Sequence, residues 1–138
     1  MNKSELLEQA SFDGDLSMVK SLLQEGADIN ALGRNWNPLH AAIENMNVEI
    51  IKHLLDSGAD TEFVCLGATT LHHAIDIEID AAIQMNAVEL PEPVITQMLL
   101  DAGAKINGLD VGGQTPLQMA QSRGHKKAAG LLKSLGAI

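Results

Sequence analysis

Asn37-Pro38-Leu39-His40-Ala41-Ala42-Ile43-Glu44-Asn45-Met46-Asn47-Val48-Glu49-Ile50-Ile51-Lys52-His53-Leu54-Leu55-Asp56-Ser57-Gly58-Ala59-Asp60 decides how the remainder of this 138-residue chain is read. Asn37 can cap a helix, for about 1 kcal/mol, by accepting bonds from its free N–H groups, and Pro38 at the first helical position loses no bonded N–H. A second apolar run, Val48 to Leu55, follows a short break. Gly58 stands where that second helix needs a left-handed residue, a conformation that glycine adopts cheaply. The stretch therefore predicts two short helices.

Outward from it, the same plan returns. The ending Leu54-Leu55-Asp56-Ser57-Gly58-Ala59-Asp60 is matched by Leu22-Leu23-Gln24-Glu25-Gly26-Ala27-Asp28 and by Leu99-Leu100-Asp101-Ala102-Gly103-Ala104-Lys105. A worn copy, Leu131-Leu132-Lys133-Ser134-Leu135-Gly136-Ala137, closes the chain. The opening Asn37-Pro38-Leu39-His40-Ala41-Ala42 is matched by Thr69-Thr70-Leu71-His72-His73-Ala74 and Thr115-Pro116-Leu117-Gln118-Met119-Ala120.

T-P-L-H-x-A openings, G-A-D-x-N endings and a period of about 33 residues resemble the ankyrin repeat over essentially the whole chain, with Asp110-Val111-Gly112-Gly113-Gln114-Thr115-Pro116-Leu117 the fullest match. The resemblance implies an all-α solenoid of paired antiparallel helices with projecting β-turn fingers. It sets one domain over 1–138, with repeats at about 1–31, 32–62, 63–107 (insertion about 79–91) and 108–138. It also implies that His40 and His72 bridge backbone groups of neighbouring repeats, and that His125 after Gly124 is structural. The first unit opens directly in a helix, like an N-terminal cap. The outer positions of the last weaken to Lys126, Ala129, Leu132 and Lys133, as a terminal repeat requires for solubility.

Four departures stand against that ruler. The second and third fingers are one residue short. Trp36 replaces a small turn residue and Thr70 the usual proline. The third unit carries an insertion, so that Gly103 follows Gly58 at a longer interval than Gly58 follows Gly26. Ile75, Ile79 and Ile83 fall at i, i+4 and i+8, so the helix capped at Thr69 is expected to run on to about Ile83 or Met85. Gln84 to Pro91 would be a loop, with the next helix starting near Pro93. A buried Ile is worth about 1.5–3 kcal/mol, so the stripe should be covered by adjacent repeats, by Met85, Val88 and Leu90, or by a partner.

Composition narrows the function. Hydrophobic residues make up 46% of the chain and aromatics 2%, which favours stacked helices over a sandwich or barrel. Cys65 is alone, so no intrachain disulfide forms; no apolar leader or span of about 18 residues is present, and a cytoplasmic protein is expected. The net charge of −9 argues against nucleic acid or an anionic membrane as partner. The segment 53–104 holds nine acids and no Lys or Arg, whereas 105–138 holds Lys105, Arg123, Lys126, Lys127 and Lys133 against the single acid Asp110.

No G-x-S-x-G, phosphate-cradling glycine loop or H-E-x-x-H occurs, so neither enzymatic activity nor a cofactor is expected. His73, Asp76 and Asp80 share one helical face and form a weak alternative metal set; strong sites draw ligands from more than one element. The main expectation is a protein partner with a basic surface, bound by a chain that is monomeric when free. The resemblance places that contact on finger tips and first helices: Arg34 and Trp36, Glu44 and Asn45, Leu66, then His73, Asp76, Ile77, Glu78 and Asp80, then Val111, Gln114, Ser122 and Arg123. Trp36 is the expected anchor, since Trp is enriched at interface hot spots; the competing role is to fold back and shield Leu32. A stoichiometric inhibitor, such as an immunity protein against a basic toxin or nuclease, fits this profile; a regulatory subunit or scaffold is the alternative.

Overall fold

Eight helices follow one another in the computed structural model, which describes residues 1–138. They are α1 (Lys3–Asp13), α2 (Leu16–Gln24), α3 (Pro38–Glu44), α4 (Val48–Asp56), α5 (Thr70–Gln84), α6 (Val94–Asp101), α7 (Pro116–Ser122) and α8 (Lys126–Ser134). The openings behave as their residues dictate. Asn37, Thr69 and Thr115 each accept a bond from the backbone N–H three residues on, at His40, His72 and Gln118. Thr115 and Gln118 complete a reciprocal capping box.

The helices pair as α1/α2, α3/α4, α5/α6 and α7/α8. The first helices α1, α3, α5 and α7 pack in succession, and α2, α4 and α6 form the layer behind them. The all-α solenoid expected from the resemblance is thus the observed fold. Projecting turns precede the last three pairs. Gly33 N–H donates to Trp36 C=O at 2.9 Å and Cys65 N–H to Ala68 C=O at 3.1 Å, while the fourth-repeat turn closes one residue wider, from Asp110 N–H to Gln114 C=O at 3.1 Å.

Two apolar clusters fill the stack. One joins Leu7, Val19, Leu39, Ile43, Ile51, Leu54, Leu71 and Leu99; the other joins Ile75 and Ile79 to Leu117, Ala120, Ala128, Ala129 and Leu132. The lengthened α5 belongs to both. Its isoleucine stripe is covered as far as Ile79 by the fourth repeat, but Ile83 is exposed, which departs from the expected continuous stripe. Met85 and Val88 are exposed as well, and of the loop's apolar residues only Leu90 packs inward.

Candidate functional site

Successive first helices carry, at equal spacing along the chain, one residue whose side chain reaches into the next turn: Glu8, His40 and His72. The Glu8 carboxylate accepts the N–H groups of Arg34, Asn35 and Trp36 at 2.5, 2.9 and 2.8 Å. Gly33 lies so close that a Cβ there would collide with the Glu8 carboxylate, so glycine is required by contact. His40 Nε2 stands 2.6 Å from Phe63 C=O, and His72 Nε2 stands 2.8 Å from Gln114 C=O. The implied bridging role of the two histidines is visible in these contacts.

The other ring nitrogen separates them. His72 Nδ1 lies 2.6 Å from the Thr69 hydroxyl, its own helix cap. Asn37 stands where that threonine would be, and its side-chain oxygen already accepts His40 N–H at 2.9 Å. His40 Nδ1 therefore has no hydroxyl and meets His73 Nδ1 at 2.8 Å. His73 Nε2 in turn lies 2.6 Å from a Glu44 carboxylate oxygen. Burial, partly offset by the Phe63 bond and reinforced by the charge of His73, pushes His40 down to about 4. Burial also lowers His73, against the pull of Glu44.

Trp36 lies over this pair. Its ring stacks on His73 with centroids 4.9 Å apart and planes 12° from parallel, and His73 stacks on His40 at 5.0 Å and 18°. The indole thus folds forward onto the third repeat, not back over Leu32, which stays exposed. Two expectations change here. His73 is 6% exposed and cannot itself meet a partner. The trio His73, Asp76 and Asp80 does not converge on a metal, because both His73 nitrogens are engaged and both aspartates face Arg123.

Arg123, at the end of α7, pairs with Asp76 and with Asp80, the latter at 3.0 Å. Three residues expected to meet a partner therefore also pair with one another across the α5–α7 seam, leaving one negative charge in excess. Glu78 is a third correction, since it is 1% exposed and faces the interior. Thr96 donates its hydroxyl to Glu78 at 2.5 Å. Burial pushes Glu78 up to about 7 against hydrogen bonds from Thr96 and from the backbone of Thr96 and Ile95. The start of α6, where Pro93 supplies no side-chain cap, is thereby met from a neighbouring helix. A sequence signal for this existed: Glu78 lies three residues beyond Ile75 and beside Ile79, on the buried face.

The remaining expected residues divide. Ile77 is half-buried against the first cluster, and Asn45 donates its amide to Phe12 C=O at 2.8 Å. Arg34 is exposed and lies 3.8 Å from Glu5. Ser122 is exposed, and Gln114 is partly so with its backbone tied to His72 and Asp110. Leu66 and Val111 project from adjacent fingers, 75% and 84% exposed, and Val111 N–H donates to Gly67 C=O at 3.1 Å. Leu66 also has φ of +49°, a left-handed conformation that costs a non-glycine residue about 1–2 kcal/mol. Missed by sequence reasoning were Glu8, which lacks the T-P-L-H context but keeps its spacing, and the Asn37 exchange that redirects His40.

Comparison with known proteins matches residues 7–86 to the family described as ankyrin repeats (3 copies). The chain is 32% identical over 136 residues to an ankyrin repeat, SAM and basic leucine zipper domain-containing protein 1 of Dasypus novemcinctus, covering 98% of this chain and 27% of that protein. It is 33% identical over 134 residues to diacylglycerol kinase iota of Rattus norvegicus, covering 91% of this chain and 11% of the kinase. A putative ankyrin repeat protein, YahD, of Escherichia coli is 32% identical over 124 residues, covering 89% of this chain and 59% of its own length. No helix here is long and apolar enough to cross a membrane.

Proposed function

Because this chain belongs to the ankyrin repeat family, whose repeats form protein-interaction modules, we propose that it acts by binding another protein and catalyses no reaction of its own. The repeats run at 1–31, 32–62, 63–107 and 108–138, and the partner lies across the fingers and first helices of the last three. The observation that carries this reading is the Leu66–Val111 pair. Two aliphatic side chains are held out to solvent on neighbouring fingers. The left-handed backbone of Leu66 belongs to the turn, since Leu66 and Gly67 are the central pair between the mutual Cys65–Ala68 hydrogen bonds and such a turn takes positive φ at both. The turn does not require an aliphatic side chain there, and exposed apolar residues on neighbouring fingers are typical of contact points.

The partner presents a basic surface. Asp76 and Asp80 share the single arginine Arg123, and residues 53–104 contain no Lys or Arg. Complementary charge of this kind mainly raises the association rate and filters partners. The chain is monomeric and cytoplasmic when free, and it serves as a stoichiometric inhibitor of the protein it captures. Trp36, which is partly buried, and the exposed Arg34 of the same finger contribute to the contact.

Capture from a lysate of the source cells, repeated with Leu66→Ser/Val111→Ser, tests the site. Both positions are exposed, so the double variant should keep the wild-type melting curve while capture falls at least tenfold. Undiminished capture would remove the finger pair from the interface. The association rate should drop as salt rises, and a salt-independent rate would end the basic-partner reading. A stable enzyme complex that retains full activity would make the chain a scaffold or regulatory subunit.

A further inference from the structure

The contact chain from Phe63 through His40 and His73 to Glu44 is one hydrogen short. It contains three contacts, at 2.6, 2.8 and 2.6 Å, and each needs one hydrogen between its atoms. Its two ends, a backbone carbonyl and a carboxylate, can only accept. Three hydrogens must therefore sit on the four ring nitrogens, whereas two neutral imidazoles carry two. The shortage does not depend on the tautomers. If His40 donates to Phe63 and His73 donates to His40, His73 Nε2 faces Glu44 bare; reversing both tautomers leaves His40 Nε2 bare against Phe63.

We propose that this chain is a one-proton latch between the second and third repeats: one proton taken up from solvent between His73 and Glu44 completes all three hydrogen bonds and clamps the Trp36 finger, and its loss releases the Glu44 carboxylate. In the latched form His73 is an imidazolium. Its Nδ1–H donates to neutral His40, its Nε2–H donates to ionised Glu44, and its charge lies under the face of Trp36, a favourable arrangement for a cation. On loss of the proton the chain opens at the Glu44 end. That side chain is 35% exposed and can turn to water, whereas His40 and its bond to Phe63 are buried.

The groups around His73 leave the titration to this pair. From α3 it faces His40 and Glu44, and from the second finger the uncharged indole of Trp36. One turn along its own helix, Asp76 is held by Arg123 of α7, and Glu8 beneath the finger is occupied by three N–H groups. On the α6 side, Thr96 is tied to Glu78. Burial opposes the imidazolium more strongly than Glu44 favours it, so the latch closes on acidification below the ordinary histidine range. His40, held down to about 4, stays neutral while it does so.

The free chain, without any partner, is the sample for the test, so the outcome is independent of whether the binding reading holds. Side-chain 15N resonances of His73 and the emission of Trp36, the single tryptophan, are followed from pH 8 to pH 4.5. Wild type should show one transition of one proton with its midpoint below 6.5, with emission falling as the imidazolium quenches the stacked indole. Glu44→Gln can donate its amide N–H to His73 Nε2 and complete all three bonds with neutral rings. Its transition should vanish or move by more than one pH unit, while Glu44→Ala should hold the open state across the range. A flat wild-type response, or a Glu44→Gln midpoint equal to that of wild type, overturns the latch.

Discussion

His40 and His72 occupy the same place in two consecutive repeats, and both bond forward to a backbone carbonyl of the next finger, yet only one of them is self-contained. His72 has its Nδ1 on the Thr69 hydroxyl, so its ring is complete within the third repeat and the finger after it. His40 has Asn37 as its cap, and its Nδ1 turns to His73 of the following helix. Two differences accompany the change from a local tie to a relay that ends on Glu44 and carries Trp36 on top: Asn37 in place of a capping threonine, and His73 in the next helix where the following repeat has Met119. An ankyrin scaffold can acquire an unusual polar centre without altering its helices, because the cap is the part of the motif that tolerates chemical variety.

Glu8 offers the sharpest way to break the comparison. It occupies the corresponding place one repeat before His40, but it supplies an anion where the histidines supply a ring, and it holds three N–H groups where each histidine holds one carbonyl. Hydrogen bonds to a charged group contribute about 1.5–3 kcal/mol each, and those of Arg34 and Asn35 can be partly replaced by water. Glu8→Ala should therefore cost about 2–4 kcal/mol in urea unfolding and shift Trp36 emission, while His72→Ala should cost about 1–2 kcal/mol and leave Trp36 unchanged. Equal costs would mean that these two equivalent positions contribute alike despite their chemistry.

The third repeat also holds a buried carboxylate that the second lacks. With Glu78 near 7 when folded and 4.5 as its ordinary value, the folded chain binds that proton more tightly than the unfolded one. This contribution is complete below about pH 4.5 and is lost as pH rises to about 7, by up to about 3 kcal/mol. His40 acts in the opposite sense, its contribution being complete above about 6.5 and lost as pH falls towards 4. The two partly cancel in the wild type, so the quantity to measure is the stability difference between wild type and Glu78→Gln. That difference should move in favour of the variant between pH 4.5 and 7 and be constant above about 7.5. A pH-independent difference would place the proton elsewhere.

How far the residues announced all this depends on the kind of interaction. Helix pairs, caps and turns were legible because they rest on local chemistry at a fixed period: Asn37 and Thr69 cap, and the extension after Asp76 follows the isoleucines to Gln84. Leu66 and Val111 were legible as finger residues, and both are exposed. The centre around His73 was not, because it depends on which nitrogen of His40 is free, and that is settled between two separate repeats. Glu78 was misplaced for a related reason. Reading Asp76, Glu78 and Asp80 as one acidic group ignores that position 78 falls on the face of Ile75 and Ile79, whereas 76 and 80 lie across the helix facing Arg123.

The smallest change, Asn37→Thr, probes the comparison most directly. Threonine is also a good helix cap, so its hydroxyl can accept His40 N–H as Thr69 does for His72, and the cost of the exchange itself is under about 1 kcal/mol. The same hydroxyl, donating to His40 Nδ1, competes with His73 for that nitrogen. His40 would then match His72, and His73 would keep only Glu44. The 2.8 Å contact between the rings should lengthen, and Trp36 should lose part of its stacked support. Melting temperature should move by no more than a few degrees, whereas Trp36 emission and the 15N shift of His40 Nδ1 should both change. If His40 Nδ1 still faces His73 in the variant, the relay is held by the rings and not by the cap, and the difference between the two repeats must lie in His73 itself.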